Sequence, residues 1–204
     1  MTTRRVILLH GLWMRPASMV LLSSRLIQAG FAPTRLGYAS VRGGPSMAGS
    51  DLAQAIDGRP CHIVAHSLGG LIALSTLEVQ PQLPVERIVC LGSPLCGSAA
   101  AAGLSRLPVL GSTLGRSARL LRSGCQPWQG AAEVGMVAGR RSIGLGQVMG
   151  RFVEENDGTV AVSETRLDGL ADHIALPASH TGLLFSPLAA RQTIAFLREG
   201  RFDR

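Results

Sequence analysis

Cys61-His62-Ile63-Val64-Ala65-His66-Ser67-Leu68-Gly69-Gly70 is the stretch on which the reading of this chain turns. Cys61–Ala65 is a short apolar run of the kind that forms a strand buried on both faces of a parallel sheet. From about Leu68 to Val79 the apolar residues continue as a predicted helix, closed off by Pro81. Ser67 therefore falls on the turn between strand and helix. A hydroxyl in that position stands above the sheet edge, at the N-terminus of the following helix. Ala65 and Gly69, two residues either side, let the turn fold sharply without side-chain clashes. A small-x-Ser-x-Gly match carries little by itself, and the competing reading is an ordinary serine at a helix cap. The strand–turn–helix setting is what gives it weight.

The segments on either side repeat the same alternation. Val6–Leu9 is a short apolar run ending in His10-Gly11. Residues 17–29 look helical and stop at Gly30. Ala32–Tyr38 reads as a second strand and Pro45–Ile56 as a second helix. Arg87–Leu91 is a strand ending in Gly92-Ser93-Pro94, Glu133–Ala138 another, and Asp172–Leu176 the last, before a C-terminal helix over Leu188–Leu197. Alternating strands and helices imply a parallel sheet covered by helices, with right-handed crossovers placing the strand ends on one edge. The alternation breaks over 95–130, a Gly-, Ala-, Ser- and Arg-rich stretch too long for an ordinary connection. It reads as an inserted cap or a loop over a site. Within it Arg116, Arg119 and Arg122 recur at helical spacing beside Leu114, Leu120 and Leu121. That stripe fits a solvated helix face better than a basic amphipathic helix meeting a lipid surface. No repeat and no linker divides the 204 residues, which read as one domain over 1–204.

Composition narrows the function classes. The chain is 46% hydrophobic and 16% charged, which fits a folded globular protein rather than a disordered one. Every one of its 20 basic residues is Arg, and the net charge is +7. Such a balance suits nucleic acid, an anionic membrane or acidic substrates, but the arginines are spread along the chain. No zinc-finger spacing, RNP motif or basic region with heptads accompanies them, so no nucleic-acid partner is expected. Cys61, Cys90, Cys96 and Cys125 form no C-x-x-C pair, and Cys96 and Cys125 are candidates for a bridge. Val6–Leu9 is too short for a signal-peptide core, and no segment reaches the ~18 apolar residues of a membrane span. The expectation is a soluble, cytoplasmic protein.

A second feature joins Ser67. His10-Gly11-Leu12-Trp13 follows the first strand, where a backbone N–H could face a developing oxyanion. Gly11 gives that loop freedom to turn, and His10 reads as a structural histidine lining it. His10-Gly11-Leu12 followed by Ala65-His66-Ser67-Leu68-Gly69-Gly70 resembles the α/β-hydrolase superfamily, in particular small bacterial lipases and esterases with an Ala-x-Ser-x-Gly elbow. The resemblance implies a minimal α/β-hydrolase fold, with a mostly parallel sheet of about six strands flanked by helices and a cap-like insert around 95–130. It also implies that the chain starts at the strand that normally comes third. An acid and a histidine should follow the serine in chain order. Asp157, in Asn156-Asp157-Gly158 after a strand over Phe152–Glu155, is the expected acid; Glu155, Asp168 and Asp172 compete with it, and a turn aspartate is the plain alternative. His180, just past the last strand, is the expected base. His173 lies at the wrong end of that strand, His62 lies inside another, and His66 is expected to point away.

The resulting expectation is a serine hydrolase of carboxylic esters. Ser67, Asp157 and His180 would be catalytic, and the N–H groups of Leu12 and Leu68 would form the oxyanion hole. No metal or organic cofactor is implied. Trp13, Met14, Leu95 and the leucine-rich insert suggest an apolar acyl pocket for a small-molecule or lipid ester, with peripheral contact to a lipid surface as a further candidate. A thioesterase, a phospholipid deacylase or a non-catalytic binding relative fits the same residues. Oligomeric state is not legible.

Overall fold

The computed structural model describes residues 3–105, 114–143 and 154–204. Its centre is a six-stranded parallel sheet in the order β2-β1-β3-β4-β5-β6. The strands are β1 (Arg5–Leu9), β2 (Ala32–Leu36), β3 (Cys61–His66), β4 (Val85–Leu91), β5 (Glu133–Gly139) and β6 (Asp172–Leu176). The helices are α1 (Val20–Gln28), α2 (Gly44–Ile56), α3 (Leu68–Val79), α4 (Ala99–Ser105), α5 (Ala118–Ser123), α6 (Gly182–Phe185) and α7 (Pro187–Glu199).

Strand periodicity sorts the core into two layers. Ile7, Leu9, Ile63, Ala65, Ile88 and Cys90 face Leu52 and Ile56 of α2 and Leu71, Leu74 and Leu77 of α3. Their neighbours Val6, Leu8, Val64, Val89 and Leu91 face the opposite layer, with Leu22 and Leu26 of α1, Leu183 and Leu184 of α6, and Phe196 of α7. A strand covered on both faces carries a continuous apolar run, and β3 is buried at every residue. β2 is an edge strand with mostly exposed residues, which is where Pro33, lacking an N–H, can be accommodated. It ends at Leu36 rather than Tyr38, and Gly37 then lies close under Pro16.

The chain order reverses between β1 and β3, so the loops after these two strands part to opposite sides and leave a crevice, where ligands of open parallel sheets bind. The excursion after β4 returns over this edge. Leu114 and Leu121 pack with Ala101 against Leu68 and Ile72 of α3. Residues 106–113, with Pro108, lie outside the described residues, as do Phe152 and Val153 of the strand expected at Phe152–Glu155. Glu154 and Glu155 are in no strand, and Asp157 sits in a loop closed by an isolated bridge between Asn156 and Ala161. Among the described residues no helix is long and apolar enough to cross a membrane. Cys96 and Cys125 are not bridged; all the cysteines are free.

Candidate active site

Ser67 leaves β3 with φ 54° and ψ −122°, a conformation strained for any residue with a Cβ. Its N–H bonds the Leu91 carbonyl at 2.9 Å, and helix α3 begins at the next residue. The turn fits because its neighbours are small. A Cβ on Gly69 would meet the carbonyls of Leu9 and His10 at 2.9 Å, and one on Gly70 would overlap Ser93. Leu68, the first helical residue, has an N–H without an intrahelical acceptor, as at every helix start.

The Ser67 hydroxyl lies 3.0 Å from His180 Nε2, and His180 Nδ1 lies 2.7 Å from Asp157 Oδ2. The three side chains that the sequence singles out are thus brought into one chain of hydrogen bonds. Asp157 is almost fully buried. Its Oδ1 accepts the N–H groups of Thr159 (2.9 Å) and Val160 (2.7 Å), so the same residue serves both as turn aspartate and as partner of His180. The main chain joins them again, the His180 N–H donating to the Asp157 carbonyl at 2.8 Å. Gly92 makes room for this: a Cβ there would press on Asp157 Oδ2 and His180 Nδ1. The competing acids lie elsewhere. Glu155 and Asp168 are exposed, and Asp172 caps the Phe202 N–H and pairs with Arg204 at the start of β6.

His66 does not point away. Strand alternation puts it on the same face as Val64, the face that carries α6, and therefore against His180. Its Nε2–H donates to the His180 carbonyl at 3.0 Å, and the two rings lie 4.7 Å apart between centroids. Burial pushes its pKa down to about 3. His66 is therefore neutral wherever His180 is to act as a base, and it adds no positive charge beside it. The folded state refuses a proton that the unfolded chain takes up near pH 6.5, so the stability contribution is complete above about pH 6.5 and is lost as the pH falls toward 3. Stability is expected to drop by about 1.4 kcal/mol per pH unit below about 6.5 from this residue. Urea midpoints of the protein and of His66→Gln, whose amide can still reach the His180 carbonyl, measure this. Equal acid sensitivity in the two would remove His66 as its source. Burial lowers the pKa of His10, His62 and His173 as well, and these act in the same direction.

His10 is a buried structural residue: its Nδ1–H reaches the Gly11 carbonyl at 2.9 Å, its ring stacks on Tyr38, and the Tyr38 hydroxyl donates to its carbonyl. The loop's left-handed residue is Trp13, with φ 59°, rather than Gly11. Gly11 is needed for proximity, since a Cβ there would meet His66 Nδ1 at 2.9 Å and Ser67 Cβ at 3.1 Å. Ser67 and His180 open onto a cleft of about 250 Å³ walled by Leu12, Trp13, Met14, Pro94, Leu114, Leu121 and Val160. Leu95 is not in this wall; it is wholly buried in the sheet core. One coupling had no signal in the sequence. Glu164 accepts the N–H groups of Ala99 (2.5 Å) and Ala161 (2.9 Å), tying the first turn of α4 to the loop that carries Asp157. Among the described residues no group of His, Cys, Asp and Glu could hold a metal ion.

The family model described as "Alpha/beta hydrolase family" matches residues 6–197. No curated protein matches the chain. Among solved structures it is similar to the mature lipase BlEst2 of Bacillus licheniformis, at 18% identity over 98% of this chain and 93% of that one, with TM-score 0.81. It is similar to the monoacylglycerol lipase of Paleococcus ferrophilus at 16% identity, over 96% and 95% of the two chains, with TM-score 0.64. Phospholipase PlaB from Legionella pneumophila aligns at 17% identity with TM-score 0.61, over 79% of this chain and 45% of that one. At such identities the likeness is one of fold.

Proposed function

The chain belongs to the alpha/beta hydrolase family, and on that premise we propose that it hydrolyses carboxylic esters through Ser67, His180 and Asp157. The observation that carries this reading is the unbroken relay from Ser67 Oγ through His180 to Asp157, at 3.0 and 2.7 Å, at the mouth of an apolar cleft. His180 Nε2 takes the Ser67 proton while Oγ attacks the acyl carbon. The negative charge that develops on the carbonyl oxygen meets the N–H groups of Leu12 and Leu68, donors fixed in place beforehand. His180 then passes its proton to the departing alkoxide, and the alcohol leaves. Water enters, gives a proton to His180 and its oxygen to the acyl carbon, and the acid is released with Ser67 restored. Asp157 holds the Nδ1–H tautomer and balances the imidazolium in both halves.

The cleft lies at or below the low end of the ~300–1,000 Å³ of small-molecule sites. Short and medium acyl chains are therefore the expected substrates. With p-nitrophenyl esters from acetate to palmitate, turnover should peak in the butyrate-to-octanoate range, and a fluorophosphonate probe should label Ser67. If esters, thioesters and phospholipids all remained intact and Ser67 stayed unlabelled, a non-catalytic role would replace this reading.

A further inference from the structure

We propose that the face carrying Ser67 docks on an anionic lipid surface through a rim of arginines. Because the strands are all parallel, the loops leaving their C-terminal ends share one edge. Arg15 follows β1, Arg42 follows β2, and Arg140 and Arg141 follow β5 on that edge. Arg119 and Arg122 lie on α5, whose Leu121 turns into the cleft, and both are exposed. These six side chains are all solvent-facing, and among the described residues none is in an ion pair. On the opposite edge most arginines are paired: Arg59 with Asp57 at 3.1 Å, Arg87 with Glu133 at 2.6 Å, Arg201 with Glu199 at 3.7 Å, and Arg204 with Asp172, while Arg4 is exposed and outside any ion pair among the described residues. Glu154 and Glu155 are the exposed carboxylates that offset the rim among the described residues. Exposed arginines without a carboxylate partner thus gather on the edge that carries the cleft, while Arg35 and Arg198, like Arg4, are exposed and outside any ion pair elsewhere among the described residues.

Apolar side chains stand among these cations. Trp13 (56% exposed) and Ile143 (61%) lie close to Arg15 and Arg141 in the chain, Met47 (53%) stands in the first turn of α2 after Arg42, and Trp13 also lines the cleft. Arginine alone would suit any polyanion. Arginine interleaved with exposed apolar groups around an apolar cleft matches a surface that is anionic at its headgroups and hydrocarbon beneath. A nucleic acid would offer nothing for Ile143 and Met47 to enter. Charge attraction brings the face down, and the apolar residues then enter the headgroup layer with the cleft turned toward the lipid. That orientation serves the ester-hydrolase reading and rests on it for its purpose, though not for the binding itself.

The test is co-sedimentation with phosphatidylcholine vesicles with and without phosphatidylglycerol, over a salt series. The protein should bind only the anionic vesicles, and added salt should release it. Arg119→Ser with Arg122→Ser, and separately Arg140→Ser with Arg141→Ser, should each weaken partitioning by about fivefold per arginine removed. Arg4→Ser with Arg59→Ser, on the opposite edge, should bind as the parent does. All these variants should hydrolyse a soluble ester normally, so loss of hydrolysis and loss of docking are read separately. Equal binding to neutral vesicles, no binding to either, or equal loss from the opposite-edge variant would overturn the proposal. So would equally tight binding of a DNA duplex, which would assign the rim to nucleic acid instead.

Discussion

Ser67→Ala is expected to lower kcat/KM on p-nitrophenyl esters by about 10⁶-fold, the size of loss found when a triad serine or histidine is removed in other hydrolases. Without Oγ there is no acyl-enzyme, and the remaining donors act only on slow attack by water. The same position makes a second, opposite forecast. With φ 54° and ψ −122° the backbone at Ser67 is strained by its Cβ, and such strain costs of order 1–3 kcal/mol. Alanine keeps the Cβ and should leave the melting temperature close to that of the parent. Glycine removes it; after the entropy glycine gains in the unfolded chain, a net stabilisation of about 1 kcal/mol should remain, or about 2–4 °C in Tm. Ser67→Gly is therefore expected to be both inactive and more heat-resistant. Ester turnover in Ser67→Ala equal to that of the parent would end the proposed role of Ser67. A glycine variant less stable than the alanine one would show that the turn is not strained as its dihedral angles imply.

What could be read from the sequence follows from where burial is complete. Strand β3 is buried at every residue and helix α3 at most of its residues, so both are largely apolar, and Leu68–Val79 has the bounds that the sequence predicts. Edge strands are less constrained, and β2 is shorter than its composition suggests because nothing packs on its exposed residues. Ser67, Asp157 and His180 could be picked out because each sits at a chain signal: a strand–helix turn, an Asp-Gly pair, a loop after the last strand. Long-range contacts carried no such signal. Gly11 is required by His66 and Ser67, more than fifty residues away in the chain, and not by its own φ. The loop of Asp157 is shaped by Asn156 and Asp157 accepting backbone N–H groups, which makes a strand there unnecessary. His66 was within reach of the sequence: two residues after Val64 in a strand, it shares that residue's face, the face against which His180 lies.

Asp157→Asn should lower kcat by about 10⁴-fold while leaving the fold intact, a combination that an aspartate serving only the turn would not produce. The asparagine Oδ1 can keep the bonds from the Thr159 and Val160 N–H groups, at 2.9 and 2.7 Å in the parent, so the loop should survive. At the other end the substitution places an NH₂ where Oδ2 stood, 2.7 Å from His180 Nδ1. That NH₂ donates, so Nδ1 must become the acceptor and the ring proton must move to Nε2. Nε2 then points a hydrogen at Ser67 Oγ, 3.0 Å away, and has no lone pair with which to take the hydroxyl proton. The geometry would be nearly unchanged and the base would be absent. The loss should therefore fall in kcat, with KM little altered, since no wall of the cleft is touched. Asp157→Ala would instead free the backbone groups of the loop as well, and should cost activity and stability together. The decisive comparison is the Tm of the two variants beside their kcat values. An asparagine variant that retains turnover would leave Asp157 as a turn residue, and the charge partner of His180 would have to be sought elsewhere.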